Sequence, residues 1–183
     1  VNPDQAVVMG WIRDGSLLHR LLERALRHVL QSYHQVLVLD QYMQERIARK
    51  GCPTAKLRVL PLWADLSGLK PVDHEQNRFR TERGWAGKFI VMYSGNISPC
   101  HPLGTLLDAA RQLQEEPNIR FVFVGLGGQL PTMQEYVRRH NLSNVEFLPY
   151  QPQEKLRWSL SAADLHVVSI GDRMVGIVHP SKV

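Results

Sequence analysis

Apolar residues recur at helical spacing through the first part of the chain. From Ser16 to about Tyr33 they return every three or four positions, and Ser16 is placed as an N-cap. The pattern predicts a long amphipathic helix whose apolar stripe faces a core. The stripe consists of Leu17, Leu18, Leu21, Leu22, Ala25, Leu26, Val29 and Leu30.

A continuous apolar run over residues 36–39 follows this helix and is typical of a parallel strand buried on both faces. Asp40 ends the run, and a second helix is predicted to stop at Gly51, which suits the left-handed position after a helix. Another strand is predicted over residues 57–62. The first part of the chain is therefore of the α/β class.

Periodicity is lost between about Trp63 and Gly84, where Pro71 lies among many charged residues. This composition predicts an interdomain linker with a short surface helix. We place the boundary near Leu69, so that residues 1–69 and 70–183 belong to different domains.

Strand-like runs alternate with helical patterns after this boundary. The alternation predicts a doubly wound parallel sheet with right-handed crossovers. Residues 180–183 read as the first turn of a further helix, so we expect this sheet to be incomplete. The strands are predicted at 89–93, 119–124, 145–148 and 165–168, and the helices at 103–113, 132–140 and 154–162.

Composition narrows the class of protein. A hydrophobic fraction of 44% with 21% charged residues favours a globular chain over a disordered one. Cys52 and Cys100 do not form a C-x-x-C pair, so neither a disulfide framework nor a zinc site is indicated, and a cytoplasmic location is expected. No apolar run approaches the ~20 residues of a membrane span, and no signal-peptide core begins the chain. The net charge of +5 favours an anionic partner such as a nucleotide or an acidic membrane.

The loop after the first strand of the predicted sheet carries candidate ligand-binding residues, because ligands of doubly wound sheets bind beyond the carboxyl ends of the strands. Gly95 lets the backbone approach a ligand, and Asn96 can donate a hydrogen bond to an anionic oxygen. His101 precedes a helix start, where N–H groups attract anions. The alternatives are that Gly95 and Asn96 only form a tight turn and that His101 is an ordinary loop residue.

Three later loops are also candidates. The Gly-Leu-Gly-Gly run at 125–128 resembles only part of a dinucleotide fingerprint. Tyr150 and Gln151 offer a seat for a nucleobase, and Ser181 with Lys182 suits phosphate at another helix start. The alternatives are that Tyr150 and Gln151 belong to a purely structural turn and that Lys182 lies on a solvated face. No catalytic triad, carboxylate pair or metal cluster is recognisable by spacing. The loops together predict binding of a phosphorylated nucleotide.

The segments V-M-Y-S-G-N, F-V-F-V-G-L-G-G, N-V-E-F-L-P-Y-Q-P, S-A-A-D-L-H-V-V and G-I-V-H-P-S-K-V occur in this order over residues 91–183. In order and spacing they resemble glycosyltransferase family 4, especially bacterial enzymes of colanic-acid and other surface-polysaccharide synthesis. The runs at 36–51 and 59–65 look like the end of that family's acceptor domain. The resemblance implies a fragment of a two-domain GT-B enzyme, truncated in its donor domain.

What the resemblance implies for function is transfer from a nucleotide-diphospho-sugar with retention of configuration and without an obligatory metal or other cofactor. By position, Gly95 and Asn96 lie near the donor diphosphate, and Tyr150 and Gln151 lie near the base. Ser181 and Lys182 lie near the phosphates or the sugar, and His101 stands where many members carry a basic residue.

One departure from the family pattern concerns a pair of glutamates that many members place seven residues apart. Here the first position falls near Ile177, and the second lies beyond Val183. No catalytic acid or base can therefore be named, and the chain alone is expected to be inactive. A noncatalytic nucleotide-sugar-binding or scaffold subunit is the alternative. A dinucleotide-dependent oxidoreductase is disfavoured, because this sequence lacks the glycine fingerprint that such enzymes need.

Three arginines of the first long helix share one face. Arg20, Arg24 and Arg27 fall within about one sixth of the helical circumference at ~100° per residue. A merely solvated face is the simple interpretation. The other is peripheral contact with the anionic inner face of the membrane, where lipid-linked acceptors are expected from the resemblance.

Overall fold

The computed structural model describes residues 3–63 and 69–180. These residues divide into two compact units, one formed by 3–63 with 170–180 and the other by 69–169. The functional division at residue 69 into acceptor-side and donor-binding domains stays a prediction, since the two units are defined by packing alone.

The first unit holds a two-stranded parallel sheet with three helices. Strands β1 (Val36–Val38) and β2 (Leu57–Val59) pair from Val36 opposite Leu57 to Val38 opposite Val59. The hydrophobic core on one face of this sheet is small, with four fully buried members in its main cluster. The helices are α1 (Pro3–Val8), α2 (Leu17–Ser32) and α3 (Gln41–Arg49), and the four buried residues are Leu30, Val38, Cys52 and Leu57.

Helix α2 begins and ends where the sequence predicts, and α3 ends just before Gly51 as predicted. The Ser16 hydroxyl accepts a hydrogen bond from the His19 N–H at 3.2 Å, and Asp40 caps α3 in the same way. Gly51 follows α3 with a φ of +94°, which confirms its left-handed position. Local capping chemistry therefore fixes these boundaries.

Three expectations for the first unit are wrong. Leu17, Leu18 and Leu21 of α2 are 80, 55 and 64% exposed, so much of the apolar stripe does not face the core. The buried side of α2 is instead formed around Leu30, with Leu26 packed against the same cluster. Strand β1 is not buried on both faces, because Leu37 is 60% exposed. The second strand ends at Val59, three residues earlier than predicted.

The second unit holds a four-stranded sheet in the order β5-β4-β3-β6, and every neighbouring pair is parallel. This confirms the doubly wound α/β prediction. Two of the four strands have the predicted bounds, whereas the last is shorter. The strands are β3 (Phe89–Ser94), β4 (Ile119–Val124), β5 (Val145–Leu148) and β6 (Leu165–His166).

Helices cover both faces of this sheet. Alternate residues of β3 point to opposite faces and therefore pack in two different clusters. Val91 and Tyr93 belong to one buried cluster, which also contains residues of α5 and α6, and Ile90 and Met92 belong to another, with Phe79 of α4. The predicted helix over 154–162 is split into a 3-10 turn at Gln153–Lys155 and a short α-helix. The helices are α4 (Arg78–Glu82), α5 (Gly104–Gln112), α6 (Leu130–Arg139) and α7 (Leu156–Leu160).

Helix α4 is the short helix predicted for the charged segment, but one of its charged residues, Arg80, is only 5% exposed. Its guanidinium donates to the Asp164 carboxylate at 3.0 Å, to the Ala162 carbonyl at 2.7 Å and to the Trp85 carbonyl at 3.2 Å. The same Asp164 oxygen accepts the N–H of Ile90 at 2.7 Å. The ion pair therefore joins α4 to the beginnings of β3 and β6.

The surroundings of Asp164 favour its ionised form. Burial raises the pKa of this carboxyl, but the hydrogen bonds from Ile90 and Arg80, with the charges of Arg80 and His74, outweigh burial and lower it below its ordinary value of 3.8. A carboxyl with a lowered pKa in the folded state stabilises that state above its unfolded pKa, and the contribution is lost as pH falls through the folded pKa.

We expect Arg80→Met to lower the free energy of unfolding by about 2 kcal/mol or more, because it leaves the partly buried Asp164 carboxylate and several carbonyls without the donor that Arg80 supplies. Urea denaturation followed by tryptophan fluorescence measures the loss. The matched control is Arg78→Met on the same helix, whose exposed guanidinium lies 4.6 Å from the Trp158 ring centroid. The control should cost about 1 kcal/mol or less, and equal losses in the two variants would contradict the role of the ion pair.

Candidate functional site

The loops after β3, β4 and β5 meet at the carboxyl edge of the four-stranded sheet. Backbone hydrogen bonds continue beyond the strands, from Gly95 N–H to the Val124 carbonyl and from Gly125 N–H to the Leu148 carbonyl, each at 2.8 Å. A further bond joins the N–H of Ile97 to the Leu126 carbonyl at 2.9 Å. These three loops therefore form one connected floor.

Two glycines of the Gly-Leu-Gly-Gly run make this floor possible. A Cβ atom at Gly125 would lie 2.0 Å from the Gly95 carbonyl oxygen, and one at Gly127 would lie 2.1 Å from that of Ile97. Their φ angles are +143° and +156°, which L side chains rarely adopt. Sequence reasoning treated the run as a weak cofactor motif and missed this role. Two glycines at the end of a buried strand were the available signal for close backbone approach.

Three of the predicted site residues are brought together here. Gly95 and Asn96 contact the β4 loop, since a Cβ at Gly127 would also meet the Asn96 Oδ1 atom at 2.8 Å. Tyr150 lies on the other side of that loop, with its Cε1 atom 3.4 Å from the Cβ position of Gly125. Tyr150 is 52% exposed, so part of this residue is accessible to a ligand.

Tyr93 anchors the first loop from below. It is fully buried, and its hydroxyl donates to the Asn96 carbonyl at 2.7 Å. Burial, with a smaller contribution from Tyr150, raises the pKa of Tyr93 to about 12, so its phenol keeps its proton at neutral pH. The hydrogen bond holds the backbone of Asn96 in place.

His101 is buried rather than displayed on a loop, with 6% of its surface exposed. Its Nδ1 atom lies 2.6 Å from the Ser169 carbonyl oxygen, so Nδ1 is assigned the proton that it donates. The Ser169 hydroxyl in turn donates to the Pro102 carbonyl at 2.7 Å. His101 therefore connects the loop after β3 to the segment after β6, at the edge where α5 begins.

The start of α5 is open to an anion. No side chain caps this helix at Leu103, so its first N–H groups are not held by a capping side chain. Helix N-termini of this kind carry partial positive charge and bind phosphate. The loop that contains His101 leads directly into them.

The remaining predicted residues are less informative. The Gln151 side-chain amide donates to the Pro149 carbonyl at 2.8 Å and so closes its own loop. Ser181 and Lys182 lie outside the described residues. Gly176, in the segment before them, packs in the first unit, where a Cβ would lie 2.8 Å from the Tyr42 carbonyl oxygen.

One cluster in the first unit has the side chains to hold a metal ion, namely Asp4, His19 and Glu23. The Lys50 ammonium contacts both carboxylates, and Arg46 donates to Asp4 at 2.6 Å. Burial raises the pKa of Asp4, but these two cations outweigh it and lower the pKa. The carboxylates are thus already neutralised by side chains, and the cluster joins α1, α2 and α3.

The family model for glycosyl transferases group 1 matches residues 75–179. This chain belongs to that family. The match spans most of the second unit, including every loop of the floor described above. Among residues 3–63 and 69–180, no helix has the length and apolar character needed to cross a bilayer.

Two curated relatives are longer bacterial proteins. The chain is 24% identical to the probable glycosyltransferase WbjE of Pseudomonas aeruginosa, over 100% of this chain and 45% of WbjE. It is 28% identical to the putative colanic acid biosynthesis glycosyl transferase WcaI of Escherichia coli K12, over 85% of this chain and 39% of WcaI. The chain thus spans less than half the length of these relatives.

Solved structures confirm the GT-B fold. Anabaena Alr3699/HepE in complex with UDP-glucose matches with a TM-score of 0.71 at 20% identity, covering 82% of this chain and 42% of that one. Staphylococcus aureus TarM matches with a TM-score of 0.60 at 13% identity, covering 79% and 27%.

We expect Gly127→Ala to lower the free energy of unfolding by about 2 kcal/mol or more, because the new methyl group clashes with a carbonyl at a φ unfavourable to alanine. Gly128→Ala is the matched control, since a Cβ there meets nothing within 4 Å. Thermal or urea unfolding of both variants gives the comparison. A Gly127 variant as stable as the Gly128 variant would show that the loops separate at little cost.

Proposed function

We propose that this chain carries the donor-binding part of a retaining glycosyltransferase of family 4. The reaction is transfer of a sugar from a nucleotide-diphospho-sugar to an acceptor in polysaccharide or glycolipid synthesis. The observation that supports it most is the floor of three joined loops, which lies within the family match. What is known of two relatives agrees with it, since WcaI is a putative glycosyl transferase of colanic acid biosynthesis and HepE was solved with UDP-glucose.

The diphosphate of the donor is assigned to the edge of this floor at the start of α5. Its negative charge suits the open N–H groups of that helix, and the Asn96 side chain can donate a hydrogen bond from the neighbouring loop. Because Gly95 has no side chain, the phosphates can approach the backbone closely. His101 holds this region in place from beneath.

The nucleobase is assigned to the loop after β5, where Tyr150 offers a half-exposed ring and Gln151 offers backbone groups. Aromatic faces bind bases by stacking and tolerate different bases. Ser181 and Lys182 are assigned to the phosphates or the sugar. Cationic and hydrogen-bonding groups of this kind stabilise the departing diphosphate without an obligatory metal.

A second candidate is a noncatalytic nucleotide-sugar-binding or scaffold subunit. The position where many family members carry a glutamate falls near Ile177, which is 7% exposed and apolar. Release of nucleoside diphosphate from a sugar nucleotide by the full-length protein, with acceptor saccharides present, would eliminate this candidate. Binding of the sugar nucleotide without release of nucleoside diphosphate would support the noncatalytic subunit.

The first test is nucleotide binding by the full-length protein, measured by titration calorimetry with UDP, GDP and ADP. Tyr150→Ala should weaken binding by ~1 to 3 kcal/mol if the base stacks on this ring, whereas Tyr150→Phe, which keeps the ring, should bind like the wild type. Lys182→Ala should weaken it by ~1 to 3 kcal/mol if the ammonium contacts phosphate. Absence of binding for every nucleotide would count decisively against the proposed function.

Peripheral contact with the inner face of the membrane belongs to the same proposal. Arg20, Arg24 and Arg27 are all exposed on one face of α2, and each basic residue near an anionic surface contributes up to ~1 kcal/mol of attraction. We expect sedimentation with vesicles that contain phosphatidylserine, and release at 1 M salt, where the Debye length falls to ~3 Å.

The variant for this test is Arg20/Arg24/Arg27→Glu, and vesicles of phosphatidylcholine alone are the control. The variant should stay in the supernatant with both kinds of vesicle. If wild type and variant partition equally and without dependence on salt, the arginine face is merely solvated.

A further inference from the structure

Three arginines of α2 form a cluster of positive charge without an acidic partner. Arg20, Arg24 and Arg27 share one arc of the helix, and all three are exposed. Like charges three and four residues apart on a helix repel one another. Within residues 3–63 and 69–180, no carboxylate forms an ion pair with any of the three. A single exposed arginine is ordinary, but three on one arc favour an anionic partner from outside these residues.

The same three side chains line a cleft in the first unit. Its volume is about 540 Å³, which is in the range of sites that bind small molecules. The arginines therefore border a space of the size that a ligand occupies. The other lining residues are Asp14, Gly15, His19 and Glu23.

The two carboxylates of the cleft do not cancel the charge of the arginines. Glu23 contacts the Lys50 ammonium, which also contacts Asp4. Asp14 precedes the helix, and its side chain is 82% exposed, so water screens its charge. The cleft therefore keeps an excess of positive charge along α2.

Arg27 is partly ordered before any ligand binds. Its side chain lies beside Gly51, at the end of α3, where a Cβ atom would be 3.5 Å from the Arg27 Cδ atom. This is an ordinary packing distance, so the aliphatic stem of the arginine rests against α3. Less side-chain freedom is then lost when the guanidinium binds an anion.

A terminal phosphate group has the chemistry that this cluster requires. A guanidinium is a planar fork that donates hydrogen bonds to phosphate oxygens in a fixed geometry. A phosphomonoester has three terminal oxygens and nearly two negative charges, whereas a phosphodiester or a carboxylate has two oxygens and one charge. Arg20 and Arg27 lie ~10 Å apart along the helix axis, and their long side chains can converge on one group. Three donors therefore match a phosphomonoester better than the other two anions.

We propose that Arg20, Arg24 and Arg27 form a binding site for a phosphomonoester group, carried either by a lipid headgroup or by a soluble molecule. Each guanidinium donates to one terminal oxygen. The site recognises the geometry of the group as well as its charge, and so goes beyond the membrane contact proposed above, which requires charge alone. It does not depend on nucleotide binding by the second unit.

Sedimentation of the full-length protein with two kinds of vesicle tests the role of geometry. One kind contains phosphatidic acid, whose headgroup is a phosphomonoester, and the other contains phosphatidylserine, whose phosphate is a diester. Phosphatidylcholine makes up the rest of both, in amounts that give the same surface potential. We expect about 10-fold tighter binding to phosphatidic acid, because one more charged oxygen accepts a hydrogen bond. Arg20/Arg24/Arg27→Lys keeps the charge but loses the planar forks, so it should bind both kinds equally.

Titration calorimetry with glycerol 3-phosphate tests a soluble source of the same group. UDP is present throughout, so that the proposed donor site does not contribute. We expect the wild type to bind glycerol 3-phosphate and Arg20/Arg24/Arg27→Lys to bind it about 10-fold more weakly, because bidentate hydrogen bonds are lost.

The matched control is Arg138/Arg139→Lys, at two side chains of α6 that are 75 and 70% exposed. This variant should keep both the preference for phosphatidic acid and the affinity for glycerol 3-phosphate. Thermal unfolding of both variants should match the wild type, because the substituted side chains are exposed.

The outcomes separate this inference from the membrane contact. Equal binding of the wild type to both kinds of vesicle, without binding of glycerol 3-phosphate, would overturn the inference. A preference for phosphatidic acid that survives in Arg20/Arg24/Arg27→Lys, or that Arg138/Arg139→Lys abolishes, would place recognition elsewhere and also overturn it.

Two results would support the site and identify its ligand. A preference for phosphatidic acid without binding of glycerol 3-phosphate identifies a lipid headgroup. Binding of glycerol 3-phosphate without a preference among vesicles identifies a soluble phosphomonoester. If that binding occurs while phosphatidylserine vesicles are not bound at all, the membrane contact is contradicted and the phosphate site stands.

Discussion

The ion pair between the buried Arg80 side chain and Asp164 connects segments of the second unit that lie 84 residues apart in sequence. Asp164 accepts from the N–H of Ile90 and donates its own N–H to the Ile90 carbonyl at 2.9 Å, so β6 is placed beside β3 by the residue that also holds the guanidinium. Arg80 in turn satisfies the Trp85 and Ala162 carbonyls, on the two chain segments that lead into β3 and β6. With β3 and β6 aligned, their carboxyl ends reach the same edge, and His101 can meet the Ser169 carbonyl there.

Much of the second unit follows from the sequence because its strands are long apolar runs. The bounds of β4 and β5 are those predicted, and the order of strands and helices gives the parallel sheet. The ion pair could not be predicted, since Arg80 lies in a segment rich in charge and its partner is 84 residues away. The same distance in sequence hides the meeting of Gly125 with Gly95, which depends on the register of β3 and β4.

The first unit shows where a sequence pattern and a local structure diverge. The stripe of α2 predicts burial, and the capping at Ser16 is as expected, yet Leu17 and Leu21 are exposed. Periodicity identifies the apolar side of a helix but not the partner that covers it. The same reasoning applies to β1, whose apolar composition is that of an internal strand although it lies at an edge. Of the candidate site residues, Gly95 and Asn96 contact the loop after β4, and their roles toward a ligand stay predictions.

The floor of the site is built almost entirely from backbone groups. Main-chain hydrogen bonds join its three loops, and the two glycines that permit the contact contribute no side chains. Such a floor is ordered before any ligand arrives, so binding does not have to compensate for freezing mobile loops, and more of the interaction energy appears as affinity. It also separates two tasks within the sequence. Under the proposed function, the exposed side chains around the floor, such as those of Asn96 and Tyr150, can change to suit a different donor while the supporting surface keeps its shape.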